Sequence, residues 1–410
     1  MPRLPPALHH RDYRRLWLGM LGSSFGTQMV SVAVGWQVYA IHRSAFDLGL
    51  IGLAEFLPLV VLALPAGQLA DRLPRTLIAA GASFAEAVVV GLLLVVTLEG
   101  AAQLWAYVAL AALTGAASAI GAPAGRSLTP EIVPTDLLAG ALALRSVAGQ
   151  AANVSGPALG GLLFSLQPEA VYAVGALLLL ASGVLMLTVT RPDGTERAAA
   201  RARPPFESLL HGVRFIRSSP IILGAITLDL FAVLFGGAVA LLPLYARSIL
   251  HTGPLGLGIL RSATAVGALV AGIMLARKPL GGRAGRTLLL AVGIFGASIV
   301  VFGLSRWFPL SFAALAVSGF VDMFSMNIRT TTVALATPNE VRGRVNAVEG
   351  VFIGASNELG AFESGAAAAL VGAVPAVVAG GAITIVLALV WGRLFPQLAR
   401  VDRLEDVRPS

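Results

Sequence analysis

Long apolar runs, separated by short polar turns, dominate this chain of 410 residues. Each run holds about 20 residues, which is the length that a helix needs to cross a bilayer. The chain is 57% hydrophobic and only 12% charged, whereas a soluble domain is roughly a quarter charged. The pattern predicts an all-α polytopic membrane protein and excludes a soluble globular fold.

Charges and Pro/Gly turns divide the apolar sequence into twelve predicted spans. They are 16–41, 48–70, 76–98, 102–124, 140–165, 170–190, 220–246, 255–277, 286–305, 308–330, 345–371 and 374–395. An even number of spans places both termini on one side of the membrane. Arginines flank the first and last spans and fill most loops on that side. The positive-inside rule therefore predicts cytoplasmic termini and a multi-pass protein of the inner membrane.

The two halves of the chain repeat each other. Leu48-Gly49-Leu50 after span 1 recurs as Leu255-Gly256-Leu257 after span 7. Arg126, which precedes Pro134-Thr135-Asp136 after span 4, matches Arg329, which precedes Pro338-Asn339-Glu340. Such a repeat predicts two parallel six-helix bundles with a site where they meet, which is a transporter architecture.

One long polar segment separates the halves. Its second part, 206–216, has the apolar periodicity of a short amphipathic helix, which we expect on the membrane surface as a linker; a helix that docks a partner protein is the alternative. The predicted domains are an N-terminal bundle (1–190), a linker (191–219) and a C-terminal bundle (220–410).

A charge-dense turn of ten residues, 67–76, joins spans 2 and 3. Gly67 permits close approach of the two helices, and Asp71 places an anion beside the start of span 3. Arg72 and Arg75 mark the cytoplasmic face.

This string resembles the G-x-x-x-D-R-x-G-R-R loop between helices 2 and 3 of major facilitator superfamily (MFS) transporters, with Pro74 and Thr76 as departures. The resemblance implies the MFS fold, alternating access, and a role of Gly67, Asp71 and the two arginines as a conformational gate. A copy around Gly272–Arg286 keeps basic residues but lacks the Asp.

Span 11 has a distinctive polar line, from Phe352 to Gly365, that resembles the enterobactin-exporter-like branch of the MFS. Its glycines permit close packing, which leaves Asn357, Glu358 and Glu363 to form hydrogen bonds between helices. These residues are candidates for proton or substrate binding, and packing without a transport role is the alternative.

Span 5 carries Gly149, Gly156, Pro157 and Gly160. The cluster resembles the Gly-Pro motif of MFS antiporters, which implies export. Span 4 lacks the mid-helix Arg of many drug–proton antiporters, so a coupling scheme built on that Arg does not apply.

Each carboxylate inside a predicted span indicates a functional or structural role, because a charge at a helix centre costs roughly 2.5–3.5 kcal/mol on insertion scales. The candidates are Glu55, Glu86, Asp229, Asp322, Glu358 and Glu363. Burial favours the protonated form, so these groups suit proton coupling or binding of a cationic substrate group. Asp229 and Asp322 are the leading pair. Basic residues at this depth are Arg261 and, closer to the periphery, Arg145 and Arg329.

Three aromatic residues, Trp36, Tyr39 and Phe231, are candidates for stacking on a planar or amphipathic substrate. Packing or contact with lipid is the alternative interpretation for each.

Several function classes are excluded by what the sequence lacks. The chain has no cysteine, its five histidines lack ligand spacing, and no phosphate-binding loop is present. We therefore predict no metal site, no cofactor, no ATP-driven pump and no enzyme. The net charge of +8 follows from the positive-inside rule, so no nucleic acid partner is expected.

The predicted function is a secondary active exporter, coupled to protons, for a small or medium organic molecule such as a siderophore or an amphipathic drug. The expected partners are this substrate, protons and the lipid bilayer, with the chain as a monomer. An importer of a small solute is the first alternative, and a non-transporting receptor or scaffold is the second.

Overall fold

The computed structural model describes residues 5–190, 205–278 and 280–407, and within these ranges the regular structure is helical, with no strand. Twelve long helices follow one another. They are helix 1 (Arg11–His42), helix 2 (Ala45–Arg72), helix 3 (Arg75–Leu98), helix 4 (Leu104–Ile132), helix 5 (Leu138–Leu166), helix 6 (Pro168–Leu187), helix 7 (Pro220–Gly236), helix 8 (Pro254–Arg277), helix 9 (Ala284–Leu304), helix 10 (Phe308–Ala336), helix 11 (Asn339–Val371) and helix 12 (Ala373–Leu394).

In the described part of the chain, nine helical segments are long and apolar enough to cross a membrane. Helices 1, 5 and 11 are not among them, because polar and small residues interrupt their apolar sequence. Polar side chains at membrane depth need protein or water beside them. These three helices are therefore the ones expected to turn polar surface toward the protein interior.

Several helices extend beyond the predicted spans. Helix 1 begins at Arg11, helix 4 continues to Ile132, and helix 11 begins at Asn339. Hydropathy marks only the apolar part of a helix, whereas the backbone hydrogen bonds continue into polar sequence.

Predicted span 7 (220–246) corresponds to a candidate membrane span over Pro220–Ile249, but its α-helix is interrupted. Helix 7 ends at Gly236, and a 3-10 turn (Ala238–Leu241) and a π-helical turn (Tyr245–Ile249) follow. The Gly236-Gly237 pair and Pro243, which has no N–H to donate, account for the break.

The described residues form two compact units. Unit 1 comprises Met1–His42, Ala54–Ala202 and Thr252–Ser262, and unit 2 comprises Arg43–Leu53, Arg203–His251 and Ala263–Ser410. Residues 191–204 of the predicted linker lie outside the described ranges, so the predicted domain boundaries stay a prediction.

Unit 1 is held together by apolar packing and by a neutral polar cluster that we call the Gln37 cluster, formed by Gln37, Thr97 and Tyr172. Gln37 of helix 1 donates to Thr97 Oγ1 of helix 3 at 3.1 Å, and the hydroxyl of Tyr172 of helix 6 donates to Gln37 Oε1 at 2.5 Å. Tyr172 is fully buried. The cluster fixes three helices to one another through groups that satisfy each other.

Unit 2 packs helices 7, 9, 10, 11 and 12 around a common apolar core. Trp391 of helix 12 is 5% exposed, and its indole N–H donates to the carbonyl of Gly224 in helix 7 at 2.9 Å.

A helix spans Pro205–Ser218, over the segment for which the amphipathic linker helix is predicted. Its contact is with protein, because a Cβ at Gly212 would lie 3.0 Å from the carbonyl oxygen of Arg344 in helix 11. Ile216 of the same helix is buried in the core of unit 2.

Candidate functional site

A buried arginine is the centre of a charged cluster in unit 2. Helix 10 carries Arg329 with 8% of its surface exposed. Its Nη1 atom forms an ion pair with Asp229 of helix 7, and its Nη2 atom lies 3.8 Å from Asp322 Oδ1. Asp322 and Arg329 are seven residues apart, which is two helical turns and the same face of helix 10. The Nε atom of Arg329 donates to the carbonyl of Ser325 at 3.3 Å.

A third carboxylate belongs to the same group. Glu349 of helix 11 lines a small cavity together with Asp229 and Arg329, and the rest of its wall is mainly apolar. We call Asp229, Asp322, Arg329 and Glu349 the Arg329 cluster. One guanidinium faces three carboxylates, so the cluster carries a net charge of −2 when every member is ionised.

The structure thus brings the two leading candidates, Asp229 and Asp322, to a common partner. Arg329 was expected closer to the periphery of the membrane, and the structure shows that it is buried within the protein. Helix 10 continues to Ala336, and this extension leaves Arg329 two turns inside the helix, where helices 7 and 11 cover it. Glu349 was not selected from the sequence because it lies near the start of predicted span 11 (345–371), and charged residues are common at the ends of membrane spans.

The remaining candidate carboxylates lie elsewhere. Glu55 sits where helix 2 crosses helix 4, since a Cβ at Gly115 would meet the Glu55 backbone. On helix 11, Glu358 is nine residues from Glu349, roughly 13 Å along the helix axis, and Glu363 is farther still.

Two polar side chains near these carboxylates form hydrogen bonds, one within its own helix and one between helices. The side-chain amide of Asn357 donates to the carbonyl of Ile353 at 3.0 Å. In unit 1, Ser118 of helix 4 donates to Glu86 of helix 3 at 2.9 Å, so this carboxylate has a neutral partner.

The turn between helices 2 and 3 is shorter than predicted. Helix 2 continues to Arg72 and helix 3 begins at Arg75, so only Leu73 and Pro74 connect them. Gly67 therefore lies within helix 2. The side chains of Asp71 and Arg72 lie outside the described part of the structure. Arg75 forms an ion pair with Glu131 of helix 4, which joins the helix 3 start to the helix 4 end.

The corresponding connection in the second half receives a carboxylate from the C-terminal segment. The backbone N–H of Arg283 donates to Asp402 Oδ1 at 2.8 Å, and the N–H of Ala284 donates to the Asp402 carbonyl at 2.9 Å. An anion at the start of a helix satisfies free N–H groups and complements the helix dipole. Asp402 thus occupies the kind of position that the sequence predicts for Asp71.

The glycines of helix 5 differ in their surroundings. A Cβ at Gly160 would lie 2.7 Å from the Met29 backbone of helix 1, and one at Gly156 would lie 2.8 Å from the Gln28 Cβ. Gly149 has no such neighbour within 4 Å. Pro157 is buried within the same helix. Close helix packing therefore explains Gly156 and Gly160 but not Gly149.

Helix 11 repeats this packing at a spacing of 204 residues. Gly360, the counterpart of Gly156, packs against Leu234 of helix 7, with 3.2 Å from its Cβ position to the Leu234 Cα. Gly365, the counterpart of Gly161, packs against the start of helix 2, as Gly161 packs against the start of helix 8. These matched contacts fix the register between helices 5 and 11.

The aromatic candidates are packed within their units. Trp36 and Tyr39 are 9% and 5% exposed. Phe231 lies parallel to Phe235 and meets Trp391 edge-on, with ring centroids 6.0 Å apart in the second pair. Their role in substrate stacking stays a prediction.

The family follows from comparison with known proteins. A family model described as transmembrane secretion effector matches residues 4–408. The chain belongs to this family of MFS transporters. The prediction that this transporter is not an enzyme is confirmed by its family.

Its curated relatives are exporters. The chain is 28% identical over 352 residues to the enterobactin exporter EntS of Citrobacter koseri, which covers 82% of this chain and 80% of that protein. The enterobactin exporter EntS of Shigella dysenteriae is 27% identical with the same coverage.

Solved structures show the same fold. A bacterial homolog of the human lysosomal transporter Spinster, inward-facing and occupied, aligns with a TM-score of 0.75 at 15% identity and covers 98% of this chain and 99% of that chain. A point mutant of the nucleoside transporter NupG aligns with a TM-score of 0.74 at 13% identity, over 94% of this chain and 100% of that one. The predicted MFS fold is therefore confirmed.

Proposed function

We propose that this transporter is a secondary active exporter that couples efflux of a small or medium organic molecule to proton entry by alternating access. The Arg329 cluster is the observation that carries the proposal. Three helices meet at one buried cation, and more carboxylates surround it than it can neutralise. Buried charge without a partner is costly, so binding of a proton by one carboxylate relieves the excess negative charge.

The geometry of the cluster provides two arrangements of Arg329. Asp229 holds one guanidinium nitrogen in a direct ion pair, while Asp322 lies at 3.8 Å from another. The direct pair with Asp229 already neutralises the cation, so a proton bound by Asp322 or Glu349 removes a competitor for Arg329, and loss of that proton restores the competition. Because Asp229 and Asp322 lie on different helices, such a shift changes how helix 7 is tied to helix 10. A proton thereby biases an equilibrium between two conformations.

The similarity of this chain to known exporters supports export as the direction of transport. The family description refers to secretion, and the curated relatives are enterobactin exporters. The Gly-Pro cluster of helix 5 agrees with export. We propose a siderophore or an amphipathic drug as the class of substrate, and Glu55, Asn357, Glu358 and Glu363 as further candidate contacts for protons or substrate.

The turn after helix 2 is the proposed conformational gate. Asp71 lies in the last turn of helix 2, where the helix dipole disfavours an anion, and close to the start of helix 3, where the dipole favours one. In this proposal Asp71 stabilises one conformation of the gate, with Gly67, Arg72 and Arg75. Both termini are cytoplasmic, and the protein acts as a monomer in the lipid bilayer of the inner membrane.

Transport by purified protein in liposomes tests the coupling. Vesicles loaded at acidic pH and diluted into alkaline buffer, in the presence of a candidate siderophore or drug, should accumulate the compound. A protonophore should abolish accumulation, and empty liposomes are the control. Accumulation that is unchanged by the protonophore would exclude proton coupling. In whole cells, expression should lower the internal level of the compound, and a raised level would show import instead.

A further inference from the structure

Helices 8 and 10 cross closely and then diverge. A Cβ at Gly267 of helix 8 would clash with the Ala316 backbone of helix 10, and a Cβ at Gly319 of helix 10 would clash with the helix 8 backbone. Further along helix 8 the contact is looser, because the Cβ position of Gly272 lies 3.7 Å from the Met323 Cε. The two helices therefore separate toward their C-terminal ends.

A cavity of about 500 Å³ lies between the separated ends. Its wall comes from helix 8, from helix 10 and from the segment after helix 12, which supplies Arg403, Leu404 and Glu405. That segment is fixed, because Leu404 packs against the core of unit 2 and the neighbouring Asp402 accepts a hydrogen bond from the Arg283 N–H at 2.8 Å. The cavity has the size of ligand pockets, which enclose about 300–1,000 Å³.

The wall of the cavity is apolar toward the membrane and charged at its end. Leu275 and Met323 are wall residues of helices 8 and 10, and both lie inside predicted spans 8 and 10. Arg403 and Glu405 follow the last predicted span, so they are expected at the depth of the lipid headgroups. The order of apolar and charged wall residues thus matches the order of chain and headgroup in a lipid.

The charged end is rich in basic side chains. Arg277-Lys278 directly follows the helix 8 wall, and both residues are exposed, as is Arg403. Within the described ranges, neither Arg403 nor Glu405 forms an ion pair. Of the other acidic residues in the segment, Asp402 is bound by the start of helix 9, and Asp406 is not part of the wall. Arg403 is therefore available to an anion.

The composition of the wall decides what can fill the cavity. Water needs several polar partners, which the apolar part does not offer, and an empty space forfeits packing contacts. An acyl chain supplies those contacts, and a phosphate supplies the anion for the guanidinium group. Phospholipid surrounds the helices in a membrane, and basic pockets between membrane helices bind anionic headgroups.

We propose that this cavity binds an anionic phospholipid, with one acyl chain between helices 8 and 10 and the phosphate at Arg403. The bound lipid contacts helix 8, helix 10 and the segment after helix 12, so it joins three parts of unit 2. This inference goes beyond the proposed export function and does not depend on which molecule is transported.

Native mass spectrometry of the full chain in detergent tests the site. Dioleoylphosphatidylglycerol is the anionic probe, and dioleoylphosphatidylcholine has the same chains without net charge. The first phosphatidylglycerol should bind more tightly than phosphatidylcholine. Arg403→Gln should weaken its binding about tenfold, because it removes a charge-assisted hydrogen bond. Arg403→Lys keeps the charge and should retain part of the affinity.

A second variant tests the place of the acyl chain. Gly272→Leu should remove the tight binding step, because the added side chain occupies the cavity, and the 3.7 Å contact shows that a Cβ fits there. Two matched controls should leave binding unchanged. Arg400→Gln removes an exposed arginine earlier in the same segment, and Gly91→Leu adds a side chain where a Cβ meets nothing within 4 Å.

Three results would overturn the proposal. Equal binding of the two lipids would exclude selection of the anionic headgroup. Unchanged phosphatidylglycerol binding in Arg403→Gln or in Gly272→Leu would show that the lipid binds elsewhere. Glycerol 3-phosphate, which has no acyl chain, should not compete at millimolar concentration, and competition by it would assign Arg403 to a soluble phosphate compound instead.

Discussion

The Arg329 cluster of unit 2 and the Gln37 cluster of unit 1 each join three helices, but they do so with different chemistry. Gln37, Thr97 and Tyr172 are neutral, so their hydrogen bonds keep one arrangement across the ordinary pH range. The Arg329 cluster contains three carboxylates and one cation, so its arrangement depends on where a proton is bound. The Gln37 cluster is suited to hold its bundle rigid, and the Arg329 cluster is suited to change the arrangement of its helices.

Removal of the cation should have the largest effect. Arg329→Gln leaves Asp229 and Asp322 without a counter-ion, and breaking a buried pair in this way costs about 3–5 kcal/mol. We expect a lower melting temperature of the protein in nanodiscs and loss of gradient-driven transport in liposomes.

A double variant provides the matched control. Asp229→Asn combined with Arg329→Gln removes both members of the pair and should recover much of the stability without recovering proton coupling. Gradient-driven transport at the wild-type rate in Arg329→Gln would show that the cluster does not couple protons.

The two aspartates should differ in their effects. Asp229 has a side chain 15% exposed and in direct contact with Arg329, whereas Asp322 is 50% exposed and 3.8 Å away. Asp229→Asn should reduce gradient-driven transport about tenfold or more, since a charge-assisted hydrogen bond contributes about 1.5–3 kcal/mol, and Asp322→Asn should reduce it less.

Exchange of substrate in the absence of a gradient should persist in both aspartate variants, because it needs no net proton movement. This measurement separates coupling from folding and from substrate binding. A larger loss with Asp322→Asn than with Asp229→Asn would show that coupling does not depend mainly on the direct ion pair between Asp229 and Arg329.

The fold was predictable because membrane insertion imposes a simple rule on sequence. Apolar runs gave the approximate positions of the twelve helices, including the less apolar helices 1, 5 and 11. The break at Gly237 and the extension of helix 10 to Ala336 were not predicted, since neither changes hydropathy. They depend on backbone hydrogen bonds that composition does not report.

The candidate site was predictable only in part. Asp229 and Asp322 were selected because each is a carboxylate at membrane depth, a property of one residue at a time. Their shared partner Arg329 and the nearby Glu349 emerge only when helices 7, 10 and 11 are packed. The internal repeat did point to Glu349, because a spacing of 204 residues pairs it with Arg145, another charged residue. That spacing became known only from the glycine contacts of helices 5 and 11 in the structure.

The smallest effect is expected in the Gln37 cluster. Tyr172→Phe removes the hydroxyl that donates to Gln37 Oε1 at 2.5 Å and keeps the ring that fills the core of unit 1. Loss of one neutral hydrogen bond costs about 1 kcal/mol, so the melting temperature should fall by only a few degrees. The dependence of transport on pH should not change, because no charge has been altered. Thr97→Val, which removes the other partner of Gln37 at similar volume, is the matched variant and should behave alike. A shifted pH profile in either variant would contradict the division between a rigid neutral cluster and a proton-dependent one, because it would show that the state of the Arg329 cluster depends on hydrogen bonds within unit 1.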